Sequence, residues 1–243
     1  MKSAAFLLAL TSLVQMAGAE DGRNLIEESL RRYAVPAHVY EEHALVLTDR
    51  HGQTTVRTAR YYALRDDTGS RNLRVIDTPA EAKGAAIYID RDARGELRAG
   101  AAASAPVFGS TFTVADLEVE KIRDFTYERE GDHDIERVAH FVLRSQPADD
   151  AVARRTGYRE RWIYLRKDNL FVSRIDYRDR EGRHVRRQTF RDPRPDESGA
   201  WRAGMILMED VKEGGRSLLK IERRVHSADY VPATVFAALR ATR

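Results

Sequence analysis

The chain has 243 residues, a third of them charged, with 41 lysines and arginines against 38 aspartates and glutamates and a formal net charge of +3. It has no cysteine, which excludes disulfides, a thiol nucleophile and thiolate metal centres. The cations are interleaved with acids rather than clustered, and this excludes the basic patch that nucleic-acid binding requires.

Met1-Lys2 supplies a positive charge, and Ala4–Val14 is apolar apart from Thr11 and Ser12. Ala17-Gly18-Ala19 then places small residues at the cleavage-determining positions. The pattern is that of a signal peptide, residues 1–19, cut after Ala19. The apolar run is too short for a comfortable membrane span, and no cysteine follows it to carry a lipid anchor. The expected product is therefore exported and soluble, with residues 20–243 forming one domain whose stability comes from a core.

Asn24–Tyr33 carries Ile26, Leu30 and Tyr33 at helical spacing, and Pro36 stops that helix. Strand signals follow at Val39–Thr48, Thr54–Leu64, Arg71–Asp77, Gly84–Asp90 and Glu96–Gly100, with a single turn of helix at Pro79–Lys83. Beyond residue 120, Arg123–Glu130 and Ile135–Arg144 read as strands around a turn at Gly131-Asp132. Ala148–Thr156 carries no strand signal and reads as an exposed loop. Tyr158–Arg166 and Leu170–Arg178 flank the turn Lys167-Asp168-Asn169, and Arg183–Phe190 follows. Asp192–Gly199 is a proline-rich loop; Trp201–Val211 and Ser217–Val225 are the last strands, and Val231–Arg240 reads as a closing helix. Adjacent strands joined by tight turns build an antiparallel meander, without the strand–helix alternation of a parallel sheet.

Period-two alternation assigns faces within strands. Trp162 and Tyr164 share one face of theirs, Ile163 and Leu165 the other. Phe171, Ile175 and Tyr177 point one way, and Val172, Arg174, Asp176 and Arg178 the other. Tyr62 and Leu64 lie together. So few helices to cover an apolar sheet face suggest an incompletely filled interior.

No constellation for bond-making chemistry stands out. The seven histidines form no His-x-x-x-His pair, and Asp132-His133-Asp134 and Glu41-Glu42-His43 read as solvated turn or edge residues rather than metal ligands. There is no Gly-x-Ser-x-Gly elbow, and Asp149-Asp150 sits in the expected loop. The expectation is a protein that is not an enzyme and uses no cofactor or metal. A hydrolase would have to rely on an isolated serine such as Ser110.

Phe108–Leu117 reads FGSTFTVADL. Within it, Gly109 permits a sharp turn, and Ser110 or Thr113 can cap a short helix over Val114–Glu118. This stretch resembles the Gly-Ser-Asp-Phe-Thr/Ser-Tyr-Glu-Asp-Leu motif of the outer-membrane lipoprotein-sorting proteins, a family similar to the periplasmic carriers LolA and LolB. Thr111, Val114 and Ala115 depart from its acidic, aromatic and acidic residues. Leu73–Gly84 resembles the same family's strand followed by Pro-Ala-Asp-x-Lys-Gly, in the same order along the chain.

The resemblance implies an α+β, mainly β fold, a curved antiparallel half-barrel with short helices over its concave face. It implies a periplasmic carrier that holds lipid or lipoprotein acyl chains, with an inner-membrane exporter of the resistance-nodulation-division type and the outer membrane as partners. A sensor on the same fold, signalling to a membrane partner, is the alternative. The residues expected to line its cavity or lid are Tyr62, Leu64, Phe108, Phe112, Leu117, Trp162, Tyr164, Phe171, Ile175 and Tyr177.

Overall fold

The computed structural model describes residues 21–237. The expected signal peptide and the end of the expected C-terminal helix lie outside them. Helix α1 covers residues 21–32. The strands follow as β1 (His38–Thr48), β2 (Thr54–Asp66), β3 (Gly69–Thr78), β4 (Ala86–Asp92), β5 (Leu97–Gly100), β6 (Phe125–Ile135) and β7 (Val138–Pro147). After α2 (Asp150–Thr156) come β8 (Glu160–Arg166), β9 (Val172–Arg178), β10 (His184–Arg191), the two-residue β11 (Arg194–Pro195) and β12 (Trp201–Arg202), β13 (Met205–Asp210) and β14 (Arg216–Val225). Short 3-10 turns punctuate the rest. The fold is mainly β, antiparallel, and open rather than closed into a barrel.

Two compact units interleave along the sequence. Of the described residues, the first takes 21–34, Val119–Phe190 and Pro195–Trp201. Its strands run in the order β6-β7-β8-β9-β10, all antiparallel. One face buries Phe125, Tyr127, Leu143, Ile163 and Leu165 with Ile26 of α1 and Val152 of α2. A close approach fixes α1 on β6: a Cβ on Gly22 would sit 2.8 Å from the Arg129 nitrogen. Ser29 reinforces it, its hydroxyl donating to the Leu170 carbonyl at 2.8 Å.

The second unit holds Val35–Glu118, Arg191–Arg194 and residues 202–237. Its strand order is β5-β4-β3-β2-β1-β14-β13, again antiparallel. On one face Tyr40 and Leu73 pack with Tyr62, Leu64, Val75 and Tyr88 against Val231, Val235 and Phe236 of the C-terminal segment. There the chain makes a 3-10 turn, Ala233–Phe236, in place of the start of the expected helix. The other face carries Glu41, His43, Leu45, Arg57, Ala59, Tyr61, Arg74 and Ile76 by register.

Most strands fall where alternation places them, and the departures have local causes. The turn read at Gly131-Asp132 is a bulge: Gly131 takes φ 144°, and the chain turns at Glu136-Arg137, both at positive φ. The expected exposed loop at Ala148–Thr156 contains α2. The Asp149 side chain caps it by accepting from Val152 N at 2.8 Å, and Gly157 ends it at φ 80°. Trp201–Val211 breaks at Ala203-Gly204, where Gly204 N donates to the Arg191 and Asp192 carbonyls.

Candidate functional site

The stretch singled out in the sequence closes on itself before it touches anything else. Val107 N donates to Phe112 O, Ser110 N to Val107 O, Val114 N to Ala105 O and Ala115 N to Ala103 O. Phe108 and Gly109 both take positive φ at the tip, 51° and 72°, so Gly109 does make the sharp turn. Val114–Leu117 is a 3-10 turn. Thr113 caps it in a capping box with Asp116, whose carboxylate accepts from Thr113 N at 2.7 Å.

This self-bonded loop meets the second unit's sheet through side chains. Arg57 donates to the Phe108 carbonyl at 2.6 Å and Arg74 to the Leu117 carbonyl at 3.5 Å. Thr111 N donates to Ser217 Oγ at 3.0 Å, and Thr111 Oγ1 to the Met208 carbonyl at 3.1 Å. Arg91 grips Glu118 through both carboxylate oxygens at 2.7 and 2.5 Å. All the sheet residues involved project from one face. Phe112 and Val114 are wholly buried, at 0 % exposure. Leu117 and Phe108 are half-buried.

Beside that loop, the same face holds a buried charge network. Glu41 accepts from Arg224 at 2.5 Å and bonds His43 Nε2 at 2.7 Å. Burial alone would raise the Glu41 carboxyl, but His43 and Arg224 outweigh it and hold the pKa at about 2. His43 stacks on Tyr61, and the Arg74 guanidinium lies 4.2 Å from the centre of the Tyr61 ring. Glu41 and His43, expected as solvated residues, are buried instead, at 9 % and 4 % exposure. Arg74 lies between apolar neighbours in Leu73-Arg74-Val75, an alternation that reads as a solvent-facing position, so no local signal marks it as buried.

The first unit has its own buried pair. Arg161 donates to Glu120 at 2.9 and 2.5 Å and to Ser145 Oγ at 2.9 Å, and the Tyr127 hydroxyl donates to Glu120 at 2.5 Å. The Arg161 guanidinium lies 3.8 Å from the Phe125 ring centre. Burial pushes the Glu120 carboxyl up, yet the charge and hydrogen bonds of Arg161, with the Tyr127 bond, hold it below the usual carboxylate range.

The ten expected lining residues divide among four faces. Phe108, Phe112 and Leu117 belong to the loop just described. Tyr62 and Leu64 do share a face, but it is the opposite face of that sheet, under the C-terminal segment. In the first unit, Ile175 packs with the helix-covered core. Phe171 lies edge-on to Tyr33 at 5.9 Å, and Tyr177 donates to Gln188 Oε1 at 2.7 Å. Trp162 and Tyr164 face away from that core, under Arg178 and Arg174 respectively. The fold thus brings together only subsets of the ten. Val172 also differs from expectation. Ser173 is the extra residue of a bulge, so Val172 pairs with Leu165 and joins Ile175 in the core. Among the described residues no group of three histidines or carboxylates is placed to hold a metal ion.

Comparison with solved structures gives the same fold. A domain from Vibrio parahaemolyticus described as outer membrane lipoprotein-sorting superposes with TM-score 0.73 at 20% identity, covering 89% of this chain and 98% of that one. A DUF1329 family protein from Desulfovibrio piger matches with TM-score 0.73 at 18% identity over 89% and 98%. A LolA superfamily protein from Nitrosomonas europaea matches with TM-score 0.68 at 15% identity over 88% and 96%. No curated protein matches the chain. One family model, described as an uncharacterized protein, matches residues 56–238.

Proposed function

We propose that this chain, which belongs to that family of uncharacterized proteins and shares its fold with lipoprotein-sorting and LolA-superfamily proteins, is a periplasmic carrier of lipid or lipoprotein acyl chains. It acts without catalysis, and residues 20–243 work as one lipid-binding domain exported by the signal peptide. The observation that carries the reading is the Phe108–Leu117 loop. Much of its main chain bonds within residues 103–117, Phe112 and Val114 are wholly buried, and side-chain bonds from Arg57, Arg74 and Ser217 hold it to the sheet.

Such a loop can lift without breaking a strand ladder, so its opening is cheap compared with unfolding. A long acyl chain resists transfer into water by about 0.8 kcal/mol per methylene, on the order of 10 kcal/mol in all. The part of this face that carries Leu45, Ala59 and Ile76 could accept that chain once the loop moves. The donors and acceptors implied by the resemblance are an inner-membrane exporter and the outer membrane. No helix among the described residues is long and apolar enough to cross a membrane.

The test is binding of a fluorescent fatty probe by purified protein, with native mass spectrometry of material taken gently from cells. Phe112→Asp should abolish probe binding while the β-rich circular dichroism spectrum persists. Undiminished binding by that folded variant, or no binding by the unaltered protein, would overturn the reading.

A further inference from the structure

The arginines beneath the Phe108–Leu117 loop are unusual in what they bind. Most arginines of this chain meet a carboxylate, as Arg91 meets Glu118 and Arg224 meets Glu41 on this same face. Arg74 does not. It is only 5 % exposed, its plane rests on Tyr61, and among the described residues its hydrogen bond is the long one to the Leu117 carbonyl. Its Nε is buried with no partner at all. Arg57, at the other end of the loop, repeats the arrangement: one bond to the Phe108 carbonyl, and a buried Nε without a partner.

A buried guanidinium held by neutral carbonyls is poorly compensated, because burial of a charge is costly unless a counter-charge and full hydrogen bonding accompany it. None of the nearby carboxylates bonds Arg74: Glu118 is held by Arg91, Glu41 by Arg224 and His43, and Asp116 accepts from Thr113 N and Oγ1. Over this face and the loop above it, Arg57, Arg74, Arg91 and Arg224 stand against Glu41, Glu118 and Asp116, which leaves one positive charge in excess.

We propose that Arg74, braced on Tyr61 beneath the Phe108–Leu117 loop, is a receptor for an anionic head group, a carboxylate or phosphate. An anion arriving there would take the free Nε–H and an Nη–H of Arg74 in a two-pronged bond, the geometry a guanidinium favours. It would thereby displace the Leu117 carbonyl and loosen that end of the loop. Opening is then coupled to the head of the cargo, and the apolar face beneath is uncovered only when a suitable molecule is present. This inference rests on the acyl-chain reading and adds to it the charge of the molecule carried. Arg57 lies four residues along β2 from Tyr61, about 13 Å away along the strand. It is too far to share one small anion with Arg74 and remains a latch.

The experiment compares a long-chain fluorescent fatty acid with its methyl ester on the unaltered protein, Arg74→Gln and Arg74→Lys. A charge-assisted pair predicts that the acid binds about ten- to hundredfold tighter than the ester. Arg74→Gln should bring the acid down to the ester's affinity while leaving the ester unchanged, and Arg74→Lys should keep part of the preference. Equal affinity of acid and ester, or equal loss of both in Arg74→Gln, would overturn the proposal and leave the acyl-chain reading standing. If neither probe binds, the acyl-chain reading fails. Titration of inorganic phosphate, followed at the Arg74 Nε–H resonance of the unaltered protein, then decides. A saturable shift would assign the site to a free anion, and no shift would end the proposal. That titration needs no variant, so it also decides the matter if Arg74→Gln does not fold.

Discussion

Replacing Glu120 by glutamine isolates what a buried ion pair is worth in this fold. The substitution keeps the shape of the side chain and removes its charge, leaving the Arg161 guanidinium buried beside Phe125, with Ser145 and a neutral amide as its partners. Both residues lie in the first unit, and Arg161 is 5 % exposed, so solvent screening does not soften the loss. Removing one partner of a buried pair costs about 3–5 kcal/mol, against about 0–1 kcal/mol at an exposed one. Urea unfolding followed by tyrosine and tryptophan fluorescence reads this as a shift of the midpoint at unchanged slope. The double variant Glu120→Gln, Arg161→Met should recover a large part of the loss, because it removes the stranded charge as well. The pH dependence has a definite sign. The folded Glu120 carboxyl lies below its ordinary value, so the stability it contributes is present above that ordinary value and is lost as pH falls through the folded one. Glu120→Gln should flatten that part of the acid limb. A loss under 1 kcal/mol, or no recovery in the double variant, would refute the claim that the pair is dry and mutually dependent.

Glu41 follows the same sign. Its folded pKa of about 2 against an ordinary 4.5 predicts stability lost between those two values as pH falls, and a shallower acid transition in Glu41→Gln, measurable by circular dichroism. At Gly69 a Cβ would meet the Arg91 carbonyl at 1.9 Å in a φ of +142°. Gly69→Ala should therefore cost more than about 2 kcal/mol in thermal unfolding, and a neutral result would show that β3 and β4 are less closely apposed there. Thr113→Ala removes half of the capping box over Val114–Leu117 and should lower stability by about 1 kcal/mol. Faster hydrogen exchange at Asp116 and its neighbours should accompany it.

How much of this was legible depended on distance along the chain. Alternation is a local signal, so β1 to β4 and β8 to β10 could be read nearly to their ends, and Trp162/Tyr164 and Ile163/Leu165 do face opposite ways. The Thr113 cap and the Gly109 turn were legible for the same reason, since each depends on residues within a few positions. A bulge defeats that logic, because one extra residue inverts every assignment before it. That is why Val172 belongs to the face opposite the one alternation gives it. Gly131 misled in a related way. Glycine marks a turn or a bulge equally well, and here β6 continued through it to Glu136-Arg137. The signals for α2 were present in Asp149 and Gly157 but were outweighed by the absence of strand character.

What no local pattern could supply is pairing across the fold. Glu41 and Arg224 are 183 residues apart, and Glu120 and Arg161 are 41 apart. Nothing in the neighbourhood of either arginine distinguishes it from the many that pair on the surface. The same limit hid Arg57 and Arg74, whose significance lies in the carboxylates they lack. A strand that buries an arginine between Leu73 and Val75 goes against the alternation that predicts the strand itself. Where local and global preferences conflict in this way, a functional demand is the natural explanation. In this chain that conflict falls in Leu73–Gly84 and under Phe108–Leu117, the two segments whose sequence resembles the family's. The resemblance comes from the order of residues and the conflict from unmet hydrogen bonds, and the proposed head-group site draws on both.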